Sequence, residues 1–115
     1  MISVKYSICS DEGKLLYSQD IRKHGSAAIF LNNDEDEYPI LSEITAFDIE
    51  VFFAEDMNNL IGELIKLQKS LIEESDIEYM DEIIALCRKC QKSNAGEIKF
   101  NPFLEIVRIG SKEKN

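Results

Sequence analysis

Basic side chains are absent from a long stretch of this 115-residue chain. Residues 25–65, called here the acidic segment, contain no Lys, Arg or His but hold ten Asp and Glu residues. The rest of the chain carries 12 acids against 13 Lys and Arg, so this segment accounts for the formal net charge of −9. A segment whose charges are all negative repels nucleic acid and anionic membranes and attracts basic proteins. We therefore expect a basic protein partner, with no nucleic acid and no membrane.

Signals for membrane insertion and export are also missing. No apolar run approaches the roughly 20 residues that a membrane-spanning helix needs. The N-terminus lacks the basic start and the continuous apolar stretch of a signal peptide. Three cysteines, an odd number, argue against a disulfide framework and favour a reducing compartment. These absences predict a cytoplasmic protein.

Proline and glycine are scarce, with two and five residues respectively. They leave no low-complexity linker, and the chain has no internal repeat. A chain of this length buries roughly two thirds of its unfolded surface and forms one ordinary domain. We therefore expect a single domain over residues 1–115.

Alternating apolar and polar side chains predict strands at the start of the chain. Residues 2–8 alternate strictly, residues 11–13 form a turn, and residues 14–18 form the returning strand of a hairpin. A short apolar run at residues 27–31 predicts a third strand. Residues 40–53 fit either a short helix followed by a strand or one irregular segment, and their last residues favour a strand.

Helical periodicity follows, and two further strands end the chain. One wide apolar stripe at helical spacing comprises Met57, Leu60, Ile61, Leu64, Ile65, Leu67, Leu71 and Ile72. Asp56 is the expected N-cap of this helix. Ser75 and Glu78 form an S-x-x-E capping box, which predicts the start of a second helix that ends at residues 94–96. Residues 97–100 and 103–109 predict the two strands.

The order of these elements predicts the fold class. Strands, then a pair of helices, then strands again are typical of an α+β domain. We expect a mainly antiparallel sheet with a two-helix hairpin packed on one face.

The stretch LCRKCQ places Cys87 and Cys90 three residues apart, a spacing found in zinc sites and thiol–disulfide enzymes. A redox pair needs its first cysteine at a helix N-terminus, whereas this pair lies near the predicted C-terminal end. A structural zinc needs four ligands, and only Cys9 and His24 remain, without paired spacing. We predict that both thiols are core residues and that the chain has no metal site and no cofactor.

The start of the acidic segment partly matches a calcium-binding loop. Counted from residue 32, Asp34, Asp36 and Glu43 take the third, fifth and twelfth positions of the EF-hand pattern. Glu37 stands where the sharp turn of that loop requires glycine. The prediction is a solvated acidic loop, with weak calcium binding left open.

Catalytic residues are not predicted. His24 is the only histidine, and the sequence singles out no Ser, Cys or Asp as its partner in a triad, since any such residue would be chosen freely. The many carboxylates have no fixed spacing that would pair an acid with a base. We therefore expect a protein that is not an enzyme.

Aromatic residues are interleaved with carboxylates in the acidic segment. Carboxylates steer a basic protein into contact and buried rings hold it, so this mixture suits protein docking. In the alternative interpretation, the phenylalanines are core residues and the acids form a solvated face. The predicted partner-binding residues are Asp34, Glu35, Asp36, Glu37, Glu43, Phe47, Asp48, Glu50, Phe52, Glu55 and Asp56.

Three short motifs resemble a group of short, mostly uncharacterised bacterial proteins, and the size, acidity and layout of the chain are similar to those of toxin-immunity proteins. The motifs are Tyr38-Pro39-Ile40-Leu41-Ser42, then Phe52, then Leu60-Ile61-Gly62-Glu63-Leu64, and the similarity spans roughly residues 38–92. The resemblance implies a cytoplasmic protein that neutralises a cognate toxin. It assigns no functional residues.

The sequence therefore predicts a non-enzymatic immunity protein that occludes a basic toxin, such as a nuclease, through its acidic segment. Nuclease sites are basic because their substrates are polyanions. One alternative is an acidic nucleic-acid mimic that inhibits a host nucleic-acid enzyme. Another is a small ligand-binding domain or enzyme whose site is built from scattered residues.

Overall fold

Four strands form one antiparallel sheet in the computed structural model, which describes residues 2–103. The strands are β1 (Ser3–Cys9), β2 (Leu15–Asp20), β3 (Glu50–Phe53) and β4 (Glu97–Asn101). Their order across the sheet is β2-β1-β4-β3, and every neighbouring pair is antiparallel. Among the strands of the described residues, the edges of the sheet therefore belong to β2 and β3. The strand predicted at residues 103–109 extends outside the described residues.

Two helices, α1 (Met57–Gln68) and α2 (Glu74–Ser93), form a hairpin on one face of this sheet. α2 contacts β1 and β4, while α1 packs against α2. The predicted α+β class, with an antiparallel sheet and a helix pair, is confirmed. Among residues 2–103, neither helix has the length and apolar character that spanning a membrane requires.

The core lies between α2 and the covered face of the sheet. Tyr6, Ile98 and Phe52 are paired in register and form a buried row across β1, β4 and β3. The Tyr6 hydroxyl donates a hydrogen bond to the Ala95 carbonyl at 3.0 Å and lies 2.6 Å from the Ser93 hydroxyl oxygen. These contacts fix the end of α2 against β1.

Residues 27–31 are not a strand, which corrects the prediction. Ala27–Ile29 form a 3-10 turn, and the Ser26 hydroxyl oxygen caps it by accepting the Ala28 N–H at 3.2 Å. The carboxylate of Asp76, on α2, accepts the Ser26 N–H at 2.9 Å. Phe30 follows and is fully buried against aromatic rings of α2 and β4. The apolar run therefore fills the core instead of extending the sheet.

The predicted start of α1 is wrong in detail. Asp56 precedes the helix, but its carboxylate makes no capping hydrogen bond to α1. Instead it accepts the Phe53 N–H at 2.8 Å, across a 3-10 turn at Ala54–Asp56. The far end also differs, because α1 stops at Gln68 and leaves Ile72 91% exposed.

The start of α2 differs from the prediction as well. The helix begins at Glu74, so Ser75 and Glu78 lie inside it and form no capping box. Its end is as predicted, because Asn94 takes a left-handed conformation with φ of 52° and Gly96 has φ of 87°.

The segment 40–53 contains a short helix and then a strand, the first of the two predicted alternatives. Leu41–Glu43 form a 3-10 turn, and β3 follows. The Glu63 carboxylate, on α1, accepts the Ile40 and Leu41 N–H groups at 3.0 Å each. A carboxylate on the helix thus holds the turn that leads to β3.

Candidate functional site

The cysteine pair on α2 is part of the core. Cys87 and Cys90 are fully buried free thiols. Burial raises the pKa of the Cys87 thiol to about 12, and it also raises the pKa of Cys90. A thiol that stays protonated is a poor nucleophile and a poor metal ligand. The prediction that both residues serve packing is confirmed.

The acidic loop at residues 34–37 lies on the surface, with all four carboxylate side chains exposed. Within residues 2–103, no three His, Cys, Asp or Glu side chains converge as metal ligands would. The loop is anchored by the buried Tyr38, whose N–H donates to the Asp34 carbonyl at 2.7 Å. Lys66, the first basic residue after the acidic segment, places its ammonium 4.9 Å from the centre of the Tyr38 ring.

Three carboxylates at and before β3, Glu43, Asp48 and Glu50, form what is called here the carboxylate cluster. Partial burial raises the pKa of Glu50 above its ordinary value of 4.5, and the charges of Glu43 and Asp48 raise it further. Glu50 is partly buried because it occupies the covered side of the sheet, in register with the buried Phe100. Mutual repulsion in the cluster favours any arrangement that brings a cation to it.

Counter-ions for this cluster are not found in the described part of the chain. The two ion pairs there join Lys5 to Asp20 and Lys23 to Glu78. Both pairs lie outside the acidic segment. Among residues 2–103, the carboxylate cluster therefore has no ion-pair partner.

The three phenylalanines of the segment have different positions. Phe47 is 81% exposed and Phe53 is 52% exposed, whereas Phe52 is 4% exposed. The Phe52 ring packs edge-on against Phe100, with 5.7 Å between ring centres. The prediction that Phe52 contacts a partner is therefore wrong, because its side chain belongs to the core. Phe47 and Phe53 remain available on the surface.

Phe47 is held in place by a local turn. The Thr45 hydroxyl oxygen accepts the N–H groups of Phe47 and Asp48, each at 3.2 Å. Such turns fix the backbone without help from the rest of the fold. The turn presents an exposed aromatic ring next to a member of the carboxylate cluster.

Ile49 is a surface residue that the sequence did not assign to the site. Its side chain is 44% exposed, and it lies on the same side as Val51 and the exposed Phe53, in alternation with Glu50 and Phe52. The alternation itself was visible in the sequence, but the direction of that strand face was not. Of the remaining predicted residues, Glu55 is exposed, and the Asp56 carboxylate accepts a hydrogen bond from the Phe53 N–H.

A recess beside α1 bears on the ligand-binding alternative. Its volume is about 420 Å³, and it is lined by Glu37, Pro39, Ile40, Asn58, Asn59, Gly62, Glu63 and Lys66. Glu63 is one of the two acidic residues that line it, and its carboxylate already accepts two main-chain N–H groups. This use of Glu63 is structural.

Comparisons with protein-family models, with curated proteins and with solved structures find no match for this chain. Its function is therefore inferred from the chemistry of its own surface. That surface combines the carboxylate cluster, an exposed Phe47 and the edge strand β3.

Proposed function

We propose that this chain is a non-enzymatic binding protein of the immunity type, which neutralises a basic toxin by covering its active surface. The partner contacts the carboxylate cluster and Phe47. A nuclease has suitable chemistry, because a site that binds polyanionic substrate also attracts carboxylates.

One observation carries the proposal: carboxylates without an ion-pair partner in the described part of the chain stand beside an aromatic ring that is 81% exposed. Burial of a phenylalanine side chain stabilises a fold or a complex by about 1.5–3 kcal/mol. The exposed Phe47 ring makes no such contribution in the unbound protein. A cationic surface would relieve the repulsion among Glu43, Asp48 and Glu50 while covering the ring. Both gains require the same kind of partner.

The mechanism is occlusion. Long-range attraction between the acidic segment and a basic surface accelerates encounter and weakens with added salt. Burial of Phe47 then slows dissociation, because a central aromatic anchor contributes more to residence than rim charges do. The carboxylates take the places that substrate phosphates would occupy, so no chemical step is needed.

The test is capture of the partner from the lysate of the native host at low salt. Wild type is compared with the triple variant Glu43→Gln, Asp48→Asn, Glu50→Gln. A control of equal charge change, Asp11→Asn, Glu12→Gln, Glu73→Gln, alters exposed acids outside the acidic segment. We expect wild type and control to retain one stoichiometric basic protein that high salt releases. We expect the triple variant to lose it.

The captured protein must also lose its own activity when wild type is added. Phe47→Ala should raise the dissociation rate by about tenfold or more, and Ile72→Ala, at another exposed apolar side chain, should not. Equal capture by the triple variant and the control would show that the carboxylate cluster is not the binding surface. An empty eluate from wild type would contradict the proposal itself.

A further inference from the structure

β3 is an edge strand, and the hydrogen bonds around it show which of its main-chain groups face outward. In an antiparallel pair, the N–H and C=O of one residue point to the same side, and successive residues alternate. The Phe53 N–H donates to the Asp56 carboxylate, so it does not point toward β4. Phe53 and Val51 therefore face away from β4, and Glu50 and Phe52 bond to it.

The other side of the sheet agrees with this assignment. The Ile21 N–H donates to the Val4 carbonyl at 3.2 Å, so Val4 faces β2. Val4 is in register with Phe100, which must then face β3 and bond to Glu50. Val51 consequently presents both its N–H and its C=O at the outer edge, where no strand of residues 2–103 lies.

The Asp56 carboxylate limits how far this edge is open. It accepts the outward-pointing N–H of Phe53. The residue of an added strand that exchanges two main-chain hydrogen bonds with β3 therefore lies opposite Val51. Short edge strands and charged neighbours are the usual protection against unwanted pairing. Here the protection is selective, because every charge in residues 47–56 is negative.

That charge decides which strand can approach. Pairing β3 with β3 of a second copy would bring two carboxylate clusters together, and like charges across strands are destabilising. An extended segment with Lys or Arg side chains would instead meet Glu43, Asp48 and Glu50. The edge thus favours a basic partner over self-association.

The two faces of β3 set different requirements for that segment. Val51 lies on the open face in register with Lys99, so a residue opposite Val51 must be apolar instead of basic. The two residues that flank this apolar residue in the added segment point to the covered side of the sheet, where the Glu50 carboxylate lies. Exposed Phe53 and Ile49 flank the apolar position on the open face.

We propose that the partner adds an extended segment, alternating basic and apolar side chains, to the outer edge of β3 through the main chain of Val51. Main-chain hydrogen bonds supply the pairing, and the alternating side chains supply its register. The inference deepens the proposed function, on which its choice of a basic partner rests. It adds that the contact is strand addition and not only charge attraction.

The probe is a short capped peptide of alternating lysine and valine, added at low salt to the whole protein. Amide hydrogen exchange, followed by NMR, should slow at Val51 and stay unchanged at Phe52, whose N–H already bonds to β4. The same peptide N-methylated at its valines keeps its charge but loses donors. It should bind about tenfold more weakly, as expected for the loss of one or two hydrogen bonds.

Three results distinguish strand addition from charge docking and from the absence of binding. If the N-methylated peptide binds equally well and Val51 exchange does not slow, strand addition is wrong. If, in addition, the triple variant of the carboxylate cluster no longer binds the N-methylated peptide, the contact is charge docking without strand addition. If wild type binds neither peptide, the edge does not recruit basic segments. Capture from the lysate, with its own variants, then judges the proposed function independently.

Discussion

Burial decides what each cysteine can do. Cys9 is exposed, whereas Cys87 and Cys90 lie within the apolar stripe of α2. Only the thiolate is reactive, and the pKa of Cys87 near 12 leaves almost none of it at neutral pH. Spacing alone would have suggested a metal or redox site, and burial explains why neither forms.

A thiol titration with an aromatic disulfide reagent tests this assignment. In native buffer at neutral pH, we expect one of the three thiols, Cys9, to react quickly. In denaturant, all three should react. A Cys9→Ser variant should show no fast phase in native buffer. Rapid reaction of a second thiol in the folded protein would contradict the core assignment of the pair.

The adjacent residues Phe52 and Phe53 show a limit of prediction at this scale. Both are aromatic and both follow carboxylates closely, so composition cannot separate them. Register does: Phe52 pairs with Ile98 on the covered face, and Phe53 takes the open face. A shift of one residue in the register of β3 would expose Phe52 and bury Phe53.

At the scale of elements, glycine fixes the connection between α2 and β4. Gly96 has φ of 87°, a left-handed conformation that side chains disfavour. A Cβ there would lie 2.5 Å from the Ser7 carbonyl oxygen, on the neighbouring strand β1. The turn can therefore pass close to β1 only because residue 96 has no side chain.

Two alanine substitutions test this reasoning against each other. Gly96→Ala should lower the free energy of unfolding by about 2–4 kcal/mol, from backbone strain and the clash with Ser7. Gly62→Ala, in α1 with open space around it, should raise it by about 0.5–1 kcal/mol. Urea unfolding at one pH measures both. Effects of the same sign would show that helix propensity or local strain has been misjudged.

The ends of the elements were predicted less well than their centres. The periodic stripe correctly predicted α1, but Ile72 lies beyond its end and is exposed. Asp56 was assigned to α1 because local capping rules favour it, and the Phe53 N–H competes successfully for its carboxylate. The Glu63 contact to Ile40 spans 23 residues, so no local pattern predicts it.

At the scale of the whole molecule, burial of a carboxylate among like charges should act on stability. The pKa of Glu50 is raised in the folded state by burial and by Glu43 and Asp48. The folded protein therefore holds this proton more tightly than the unfolded chain does. Its ionisation removes stability as the pH rises from 4.5 through the raised pKa.

Replacement of Glu50 by an uncharged isostere should reverse this loss. We expect Glu50→Gln to have a higher free energy of unfolding than wild type at neutral pH, with the difference shrinking toward pH 4. Glu73→Gln, at an exposed acid between the helices, serves as the charge-matched control. Urea unfolding over this pH range measures both. Curves that run parallel to wild type for Glu50→Gln would contradict the repulsion.

The sequence by itself determined the α+β class, the core faces of both helices and the position of the charge. Helical periodicity and the acidic segment are local properties, so they survive without knowledge of the fold. Tertiary structure alone decided the strand order, which made β3 an edge. It also buried Phe52, left Phe47 exposed, and sent residues 27–31 into the core. These outcomes depend on pairings between residues far apart in the chain, and no local pattern encodes such pairings.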